Sequence, residues 1–226
     1  MSRTVALVTG VGPGTGSAIV RRFAQGPYEV AMIARSGERL TELARDIPGT
    51  HAFAADVTDT HQMGEVLGRI TRELGAPEVV IHNAVGGAFG NFQEIDPAVL
   101  ERNFQVNVMA LLHLVRRTAP AMIEAGRGAI VVTGNTSALR GKANFAGFAP
   151  TKAAQRVLTE SIARELGPKG IHVAHVIIDG QIRSESGDAD AYLDPRNIAA
   201  AYVGLHRQHR NAWTQELDLR PWSEKF

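Results

Sequence analysis

Four glycines within eight residues, Thr9-Gly10-Val11-Gly12-Pro13-Gly14-Thr15-Gly16, form the stretch best suited to holding a ligand. They follow the apolar run Val5–Val8 and precede Ser17–Phe23, whose spacing predicts a helix. A buried strand that turns sharply into a helix leaves several backbone N–H groups pointing outward. Glycines let that backbone approach a phosphate closely, and the helix N-terminus adds positive potential. The chemistry expected is nucleotide binding, although a Gly-rich loop also serves as plain turn punctuation. Composition narrows the rest. There is no cysteine, which excludes disulfides, thiolate catalysis and cysteine-ligated zinc. The eight histidines are scattered without metal-ligand spacing, so no metal site is expected. Arg207-Gln208-His209-Arg210 reads as a solvated helix end. A formal net charge of +1 offers no global field for nucleic acid or an acidic membrane.

The elements that must position the loop alternate in type. Apolar, β-branched runs at Val5–Val8, Glu29–Ala34, Ala52–Ala55, Glu78–Ile81, Gly128–Thr133 and Ile171–Ile178 read as strands, with Leu217–Leu219 as a short last one. Helical spacing occupies Ser36–Asp46, Asp59–Leu74, Pro97–Ala125, Phe145–Leu166 and Pro195–Arg207. The longest of these places Leu100, Phe104, Val108, Leu111, Leu112 and Val115 at core spacing, and Pro120 is expected to kink or interrupt it. Strands of buried rather than alternating composition, separated by helices, predict an α/β fold: a Rossmann-like, doubly wound parallel β-sheet with helices on both faces. At 226 residues, with 44% hydrophobic and 21% charged residues, the chain suits a single domain over residues 1–226. No apolar run approaches the roughly 20 residues that span a bilayer, and the first strand leaves no room for a signal peptide, so a cytoplasmic protein is expected.

The ordered motifs on this framework resemble the short-chain dehydrogenase/reductase family. Thr9-Gly10-x-x-x-Gly14-x-Gly16 is similar to the family's cofactor loop. Asp56-Val57 after the third strand stands where the family contacts adenine, and Asn83-Ala84 after the fourth lies within its usual Asn-Asn-Ala-Gly. Asn107 matches an active-site asparagine, Lys152 the family's lysine, and Asp179-Gly180-Gln181-Ile182 stands where Pro-Gly-x-Ile is usual. The resemblance implies cofactor contacts from Gly10, Gly12, Pro13, Gly14, Thr15, Gly16, Asp56, Val57, Asn83, Ala84, Thr133, Lys152, Gly180 and Ile182. Lys152 would hold the nicotinamide ribose and Asn107 would organise the geometry near it. At the end of the second strand, where an acid would select NAD, the sequence has Ala34-Arg35-Ser36. A guanidinium fork and a hydroxyl suit the 2′-phosphate of NADP, so NADP (NADPH) is favoured over NAD. A solvated arginine at a helix start is the plain alternative.

The resemblance fails where the family does its chemistry. Its Tyr-x-x-x-Lys places a tyrosine four residues before the lysine, with a serine thirteen residues earlier. Here those positions hold Phe148 and Asn135. Phenylalanine has no proton to give. Asn135 can donate a hydrogen bond to a carbonyl but cannot relay a proton as a hydroxyl does. Tyr28, Tyr192 and Tyr202 do not precede a lysine by four, and Thr136 and Ser137 sit one and two residues past the serine position. His82, Val85 and Asp179 are further departures around the same pocket. Two readings stay open: an oxidoreductase of small carbonyl or alcohol substrates whose proton comes from elsewhere (His82 and Asp179 being candidates), or a non-catalytic NADP-binding sensor or scaffold. A strand-end cap is the plain reading of His82, and a loop cap that of Asp179.

The polar segment Arg183–Asp194 stands where the family carries its substrate lid, which implies an open or small site, or one completed by a neighbouring subunit. The resemblance also implies a homodimer or homotetramer. Leu158, Ile162 and Leu166 would serve that interface or the core equally well, and Trp222 and Phe226 would pack across a subunit contact or lie in a free tail.

Overall fold

The computed structural model describes residues 3–183 and 191–224. Its seven strands form one sheet, parallel throughout, in the order β3-β2-β1-β4-β5-β6-β7. In chain order the elements are β1 (Thr4–Thr9), α1 (Thr15–Ala24), β2 (Tyr28–Ala34), α2 (Gly37–Asp46), β3 (Thr50–Ala54), α3 (Thr60–Glu73), β4 (Val79–His82), α4 (Pro97–Phe104) and α5 (Ala110–Ala125). Then follow β5 (Gly128–Asn135), α6 (Ala149–Leu166), β6 (Ile171–Ile178), α7 (Pro195–His206) and β7 (Glu216–Leu219). The strand order reverses direction between β1 and β4, which opens a crevice above the strands' C-terminal ends.

The two-residue period of the strands divides the core in two. In β1, Ala6 and Val8 face a cluster built with Ile19, Val20 and Phe23 of α1, Leu40 of α2 and Ile198 and Tyr202 of α7. Val5 and Leu7 face the opposite cluster, with Met63 and Ile70 of α3, Leu111 and Leu114 of α5, and Ile162 and Leu166 of α6. A strand covered on both faces has no polar side, hence the continuous apolar runs in the sequence. Each fully buried Leu or Ile contributes about 1.5–3 kcal/mol of transfer free energy. Ser36, Asp59, Asp96 and Asp194 accept hydrogen bonds from the first turns of α2, α3, α4 and α7, fixing where those helices begin.

Two expectations are corrected. The long helix is not broken at Pro120. α5 runs through it to Ala125, because Arg116 and Pro120 are both exposed and the carbonyl that the proline leaves without a donor lies on the water side. The interruption is upstream, a π-helical turn over Gln105–Met109 between α4 and α5. α6 starts at Ala149 rather than Phe145, since Pro150 belongs in a first turn and Phe148 takes the N-cap position. Of the two roles left open for Leu158, Ile162 and Leu166, the core is the one seen: Ile162 and Leu166 are buried beneath α6 and Leu158 packs against that core. Within the segment expected to form a lid, residues 184–190 lie outside the described residues, as does Phe226; Trp222 is exposed.

Candidate active site

Above the C-terminal ends of β1 to β6 lies a cleft of about 1440 Å³. Each of those strands contributes the residues just past its end, so one crevice collects the motifs that the sequence spreads over the chain. The glycine loop forms its first wall. Gly10 adopts φ 73°, and a Cβ there would lie 2.4 Å from the backbone of Ala84. Gly16 is equally confined, with a Cβ 2.7 Å from the Gly10 carbonyl. These two glycines let the loop close on itself. Gly12 and Gly14 differ, because a Cβ on either would meet nothing within 4 Å. That open side, beside the uncapped first turn of α1, is a cradle where a pyrophosphate fits against backbone N–H groups. The residues present therefore suit a dinucleotide.

Side chains tie this wall to the rest of the cleft. Asn83 Nδ2 donates to the Gly10 carbonyl at 2.9 Å, and Asn83 Oδ1 accepts from Thr133 Oγ1 at 3.0 Å. The Thr133 hydroxyl in turn lies 2.7 Å from the hydroxyl of Tyr202, which is buried on α7. Burial pushes that phenol well above its ordinary pKa, and the Thr133 bond only partly offsets this. Tyr202 thus braces the cleft from behind and does not line it. At the other end, Arg35 and Arg39 line the cleft on the β2 side, and Ala55, Asp56 and Val57 line it after β3. Burial opposes ionisation of Asp56, but the N–H and hydroxyl of Thr58 and the charge of Arg35 outweigh it and hold the carboxyl below its ordinary range. The Ser36 hydroxyl accepts from the Arg39 N–H as the cap of α2 and does not line the cleft.

At the chemical end stand Asn135, Thr136, Ser137, Phe148 and Lys152, with Gly180 and Ile182 after β6. Lys152 is almost wholly buried. Its ammonium donates to the Thr133 carbonyl at 2.8 Å and to Gln155 Oε1 at 2.5 Å, and burial lowers its pKa to about 7. Gln155 Nε2 donates to the backbone carbonyl of Asn107 at 2.9 Å, inside the π-helical turn. The wider helical turn redirects backbone carbonyls, and here a side chain from α6 takes one of them. The Asn107 side chain does not reach the cleft. It exchanges hydrogen bonds with Gly86 at 2.7 and 3.0 Å and donates to Thr151 Oγ1 at 2.8 Å, fastening the loop after β4 to α6. Asn135 lines the cleft, and its Oδ1 is buried without a hydrogen-bond partner.

Of the two substitute proton donors, one lies outside the cleft and the other is held in an ion pair. His82 is fully buried at the end of β4 and is absent from its lining; its Nδ1 lies 3.1 Å from Thr9 Oγ1. Burial, reinforced by the charge of Lys152, lowers its pKa to about 4. Asp179 does line the cleft, but its carboxylate is ion-paired with Arg220 at 2.8 Å. Two residues that the sequence alone does not single out emerge, Gln155 and Arg39. Among the described residues, no group of three or more His, Cys, Asp or Glu is placed to hold a metal ion. Among them also, no helix is long and apolar enough to cross a membrane.

Known proteins share this arrangement. The family model for short chain dehydrogenases matches residues 4–188. D-erythrulose reductase of Gallus gallus is 31% identical over 196 residues, covering 86% of this chain and 77% of its own. An uncharacterised oxidoreductase of Staphylococcus epidermidis is 25% identical over 96% of both chains. Among solved structures, a short-chain dehydrogenase from Rhodopseudomonas palustris superposes with a TM-score of 0.86 at 31% identity, covering 97% of this chain and 99% of that one. A metagenomic short-chain oxidoreductase in complex with NADP gives the same score at 28% identity, covering 97% of both chains. A glycine cradle after the first strand, a buried lysine at the chemical end of the cleft and this extent of similarity lead to one conclusion: the chain belongs to the short-chain dehydrogenase family of oxidoreductases.

Proposed function

We propose that this chain binds NADP(H) in the cleft and transfers hydride to or from a small carbonyl or alcohol, without a tyrosine as proton donor. The observation that carries the reading is an intact nucleotide half joined to a chemical end that retains Lys152 but presents the Phe148 ring. Arg35 and Arg39, both lining the β2 side of the cleft, supply paired guanidinium groups for a 2′-phosphate, and Asp56 is already engaged by Thr58. The similar metagenomic oxidoreductase was solved with NADP, which supports the same preference here. When bound, the reduced cofactor would supply the hydride to a carbonyl and the oxidised one would accept it from an alcohol. Lys152 is placed to hold the nicotinamide ribose, and Asn135 to orient a substrate carbonyl through its amide. The proton that balances hydride addition to a carbonyl would come from water in the open cleft, and Thr136 and Ser137 bring hydroxyls to the same wall. Losing a positioned acid lowers rates by roughly 10²–10⁴-fold, so turnover of ordinary ketones is slow. The protein acts in the cytoplasm as a homodimer or homotetramer.

A second reading, an NADP-binding sensor without turnover, is favoured by Lys152 itself, whose ammonium is already held by two protein acceptors. One experiment separates them. NADPH consumption over a broad panel of carbonyl compounds is followed together with NADPH binding. Turnover that disappears in Lys152→Met supports the enzyme, whereas tight NADPH binding with no consumption on any substrate overturns it and leaves the sensor.

A further inference from the structure

The chemical end of the cleft has a composition that the nucleotide does not account for. Phe89 meets Phe145 edge to face with ring centroids 5.1 Å apart, and Phe148 with centroids 5.9 Å apart. The rings come from two stretches, one following β4 and the other joining β5 to α6, and hydrogen bonds fix these together. The Gly90 N–H donates to the Asn144 carbonyl at 2.8 Å, and Asn103 Nδ2 donates to the Gly147 carbonyl at 2.6 Å. Gly87 lies so close over the Phe148 ring that a Cβ would approach it to 3.1 Å. Despite this fixed support, Phe89 remains 70% exposed and Val85 62%. Exposed apolar surface on a braced cleft wall is binding surface rather than core. Aromatic faces and edges of this kind accept a flat ring in offset or edge-on contact.

The same end is cationic. Arg140 and Lys142, both exposed, line the cleft from the stretch leading into Phe145, and Arg102 lines it from α4. The acids there are Glu224 and Asp179, and Asp179 is ion-paired with Arg220. Arg140 and Lys142 follow β5, two places along the sheet from β1 and its glycine loop, so they stand apart from the phosphate cradle. We infer that the substrate end of this cleft recognises a planar aromatic acid, its ring on the exposed Phe89, which Phe145 and Phe148 hold from behind, and its carboxylate at Arg140 and Lys142. The carbonyl chemistry of such a substrate rests on the oxidoreductase reading above; its recognition does not. An aliphatic acid satisfies the cations and leaves the rings wet, while a neutral aryl ketone does the reverse.

The test is calorimetric titration of the full chain, with and without saturating NADP⁺, using 4-acetylbenzoate, its methyl ester and levulinate. Each partly exposed charge pair is worth a few-fold in affinity, so 4-acetylbenzoate is expected to bind about tenfold more tightly than the ester, and similarly against levulinate. Arg140→Gln with Lys142→Gln brings the acid to the ester's affinity, and Phe89→Ala brings it to levulinate's. Both variants alter exposed side chains and keep the parent's affinity for NADP⁺. The inference is overturned if the acid does not bind, if it binds no better than either control, or if the cation variant loses NADP⁺, which would assign those charges to the nucleotide. Failure of the nucleotide reading is seen separately, as an absent NADP⁺ isotherm in the parent, while the acid-to-ester ratio is still read on the nucleotide-free protein.

Discussion

The Gln155 side-chain carbonyl accepts a hydrogen bond from the Lys152 ammonium at 2.5 Å, with both residues buried. The other end of the same amide donates to the Asn107 carbonyl, so one side chain bridges the charged lysine and the π-helical turn. Gln155→Leu removes an acceptor from a buried cation and a donor from a buried carbonyl. The expected loss is about 2–4 kcal/mol of unfolding free energy, measured by urea titration near pH 6. Because burial has lowered the Lys152 pKa to about 7, the lysine is neutral by pH 9, and the loss should then be clearly smaller. An equal loss at both pH values would mean that Gln155 only fills space.

His82 and His175 give the chain an acid-sensitive core. Both are fully buried. His175 faces Glu216 at 3.5 Å, with Arg156 and Lys152 nearby, and His82 faces Thr9 and Lys152. Burial, with the Lys152 charge as the next cause, lowers each pKa from 6.5 to about 4. The unfolded chain therefore takes up these two protons near pH 6.5, and the folded chain only near pH 4. Within that window the unfolded state binds more protons, so stability falls as the pH drops, by about 1.4 kcal/mol per unit for each histidine. Urea titrations between pH 7 and 5 should show this slope, and His82→Asn should remove roughly half of it. A flat parent profile across that range would contradict the burial of both rings as neutral groups.

The parts of the site that were legible in the sequence are those whose signal is local. The glycine loop announces itself because backbone geometry at Gly10 and Gly16 tolerates no side chain. Phe148 and Asn135 could be found by counting back from Lys152. Gln155 could not, since a polar residue three positions past Lys152 resembles any other helix residue until the Asn107 carbonyl is brought to it from α5's side of the fold. The π-helical turn left no mark in the sequence, whereas Pro120 left a strong one at a place where water absorbs its effect. Arg39 reads as an exposed helix residue, and only the position of α2 beside the cleft sets it next to Arg35. The aromatic wall was hidden for the same reason: Phe89 and Phe148 belong to different strand ends, and the tie between Gly90 and Asn144 is long-range.

Arg35 and Arg39 make nucleotide preference a matter of charge at one spot. Arg35→Asp places a carboxylate where a 2′-phosphate would sit, so NADPH affinity should fall at least about 30-fold, the scale of losing a charge-assisted pair and gaining a repulsion. NADH has hydroxyls there, and its affinity should be unchanged or rise. Arg39→Gln should act in the same direction with a smaller effect. Fluorescence titration with both nucleotides measures this; parallel losses for NADPH and NADH would remove Arg35 from the phosphate site.

Gly10 and Gly12 should respond in opposite ways to the same added methyl group. Gly10→Ala strains a left-handed backbone and drives a Cβ into Ala84, so thermal unfolding should move down by several degrees whether or not nucleotide is present. Gly12→Ala meets nothing within 4 Å, and the nucleotide-free protein should unfold as the parent does. Its methyl group instead occupies the cradle, so NADPH affinity should drop about tenfold or more. Normal NADPH affinity in Gly12→Ala would show that the pyrophosphate does not lie against that face of the loop.

Phe148 is where the chemistry of the site can be asked directly. Its ring lies at the N-cap of α6, lines the cleft and touches the Phe89 ring, and Lys152 N–H donates to its backbone carbonyl at 3.2 Å. Phe148→Tyr with Asn135→Ser adds a phenolic hydroxyl to the wall and a smaller hydroxyl in place of the amide with the orphaned oxygen. Lys152 behind the wall remains available to lower the phenol's pKa through its positive charge. If the pocket is otherwise shaped for hydride transfer, carbonyl reduction should rise by roughly 10²–10⁴-fold in kcat/KM, the usual contribution of one positioned acid. Phe148→Tyr alone should deliver most of that gain, since the tyrosine supplies the proton and the serine only orients the carbonyl. NADPH consumption by the parent, the two single variants and the pair measures it. A double variant that binds NADPH as the parent does but reduces no faster would mean that the aromatic wall admits no productive substrate pose, and that the fold has kept its nucleotide while changing what the nucleotide is for.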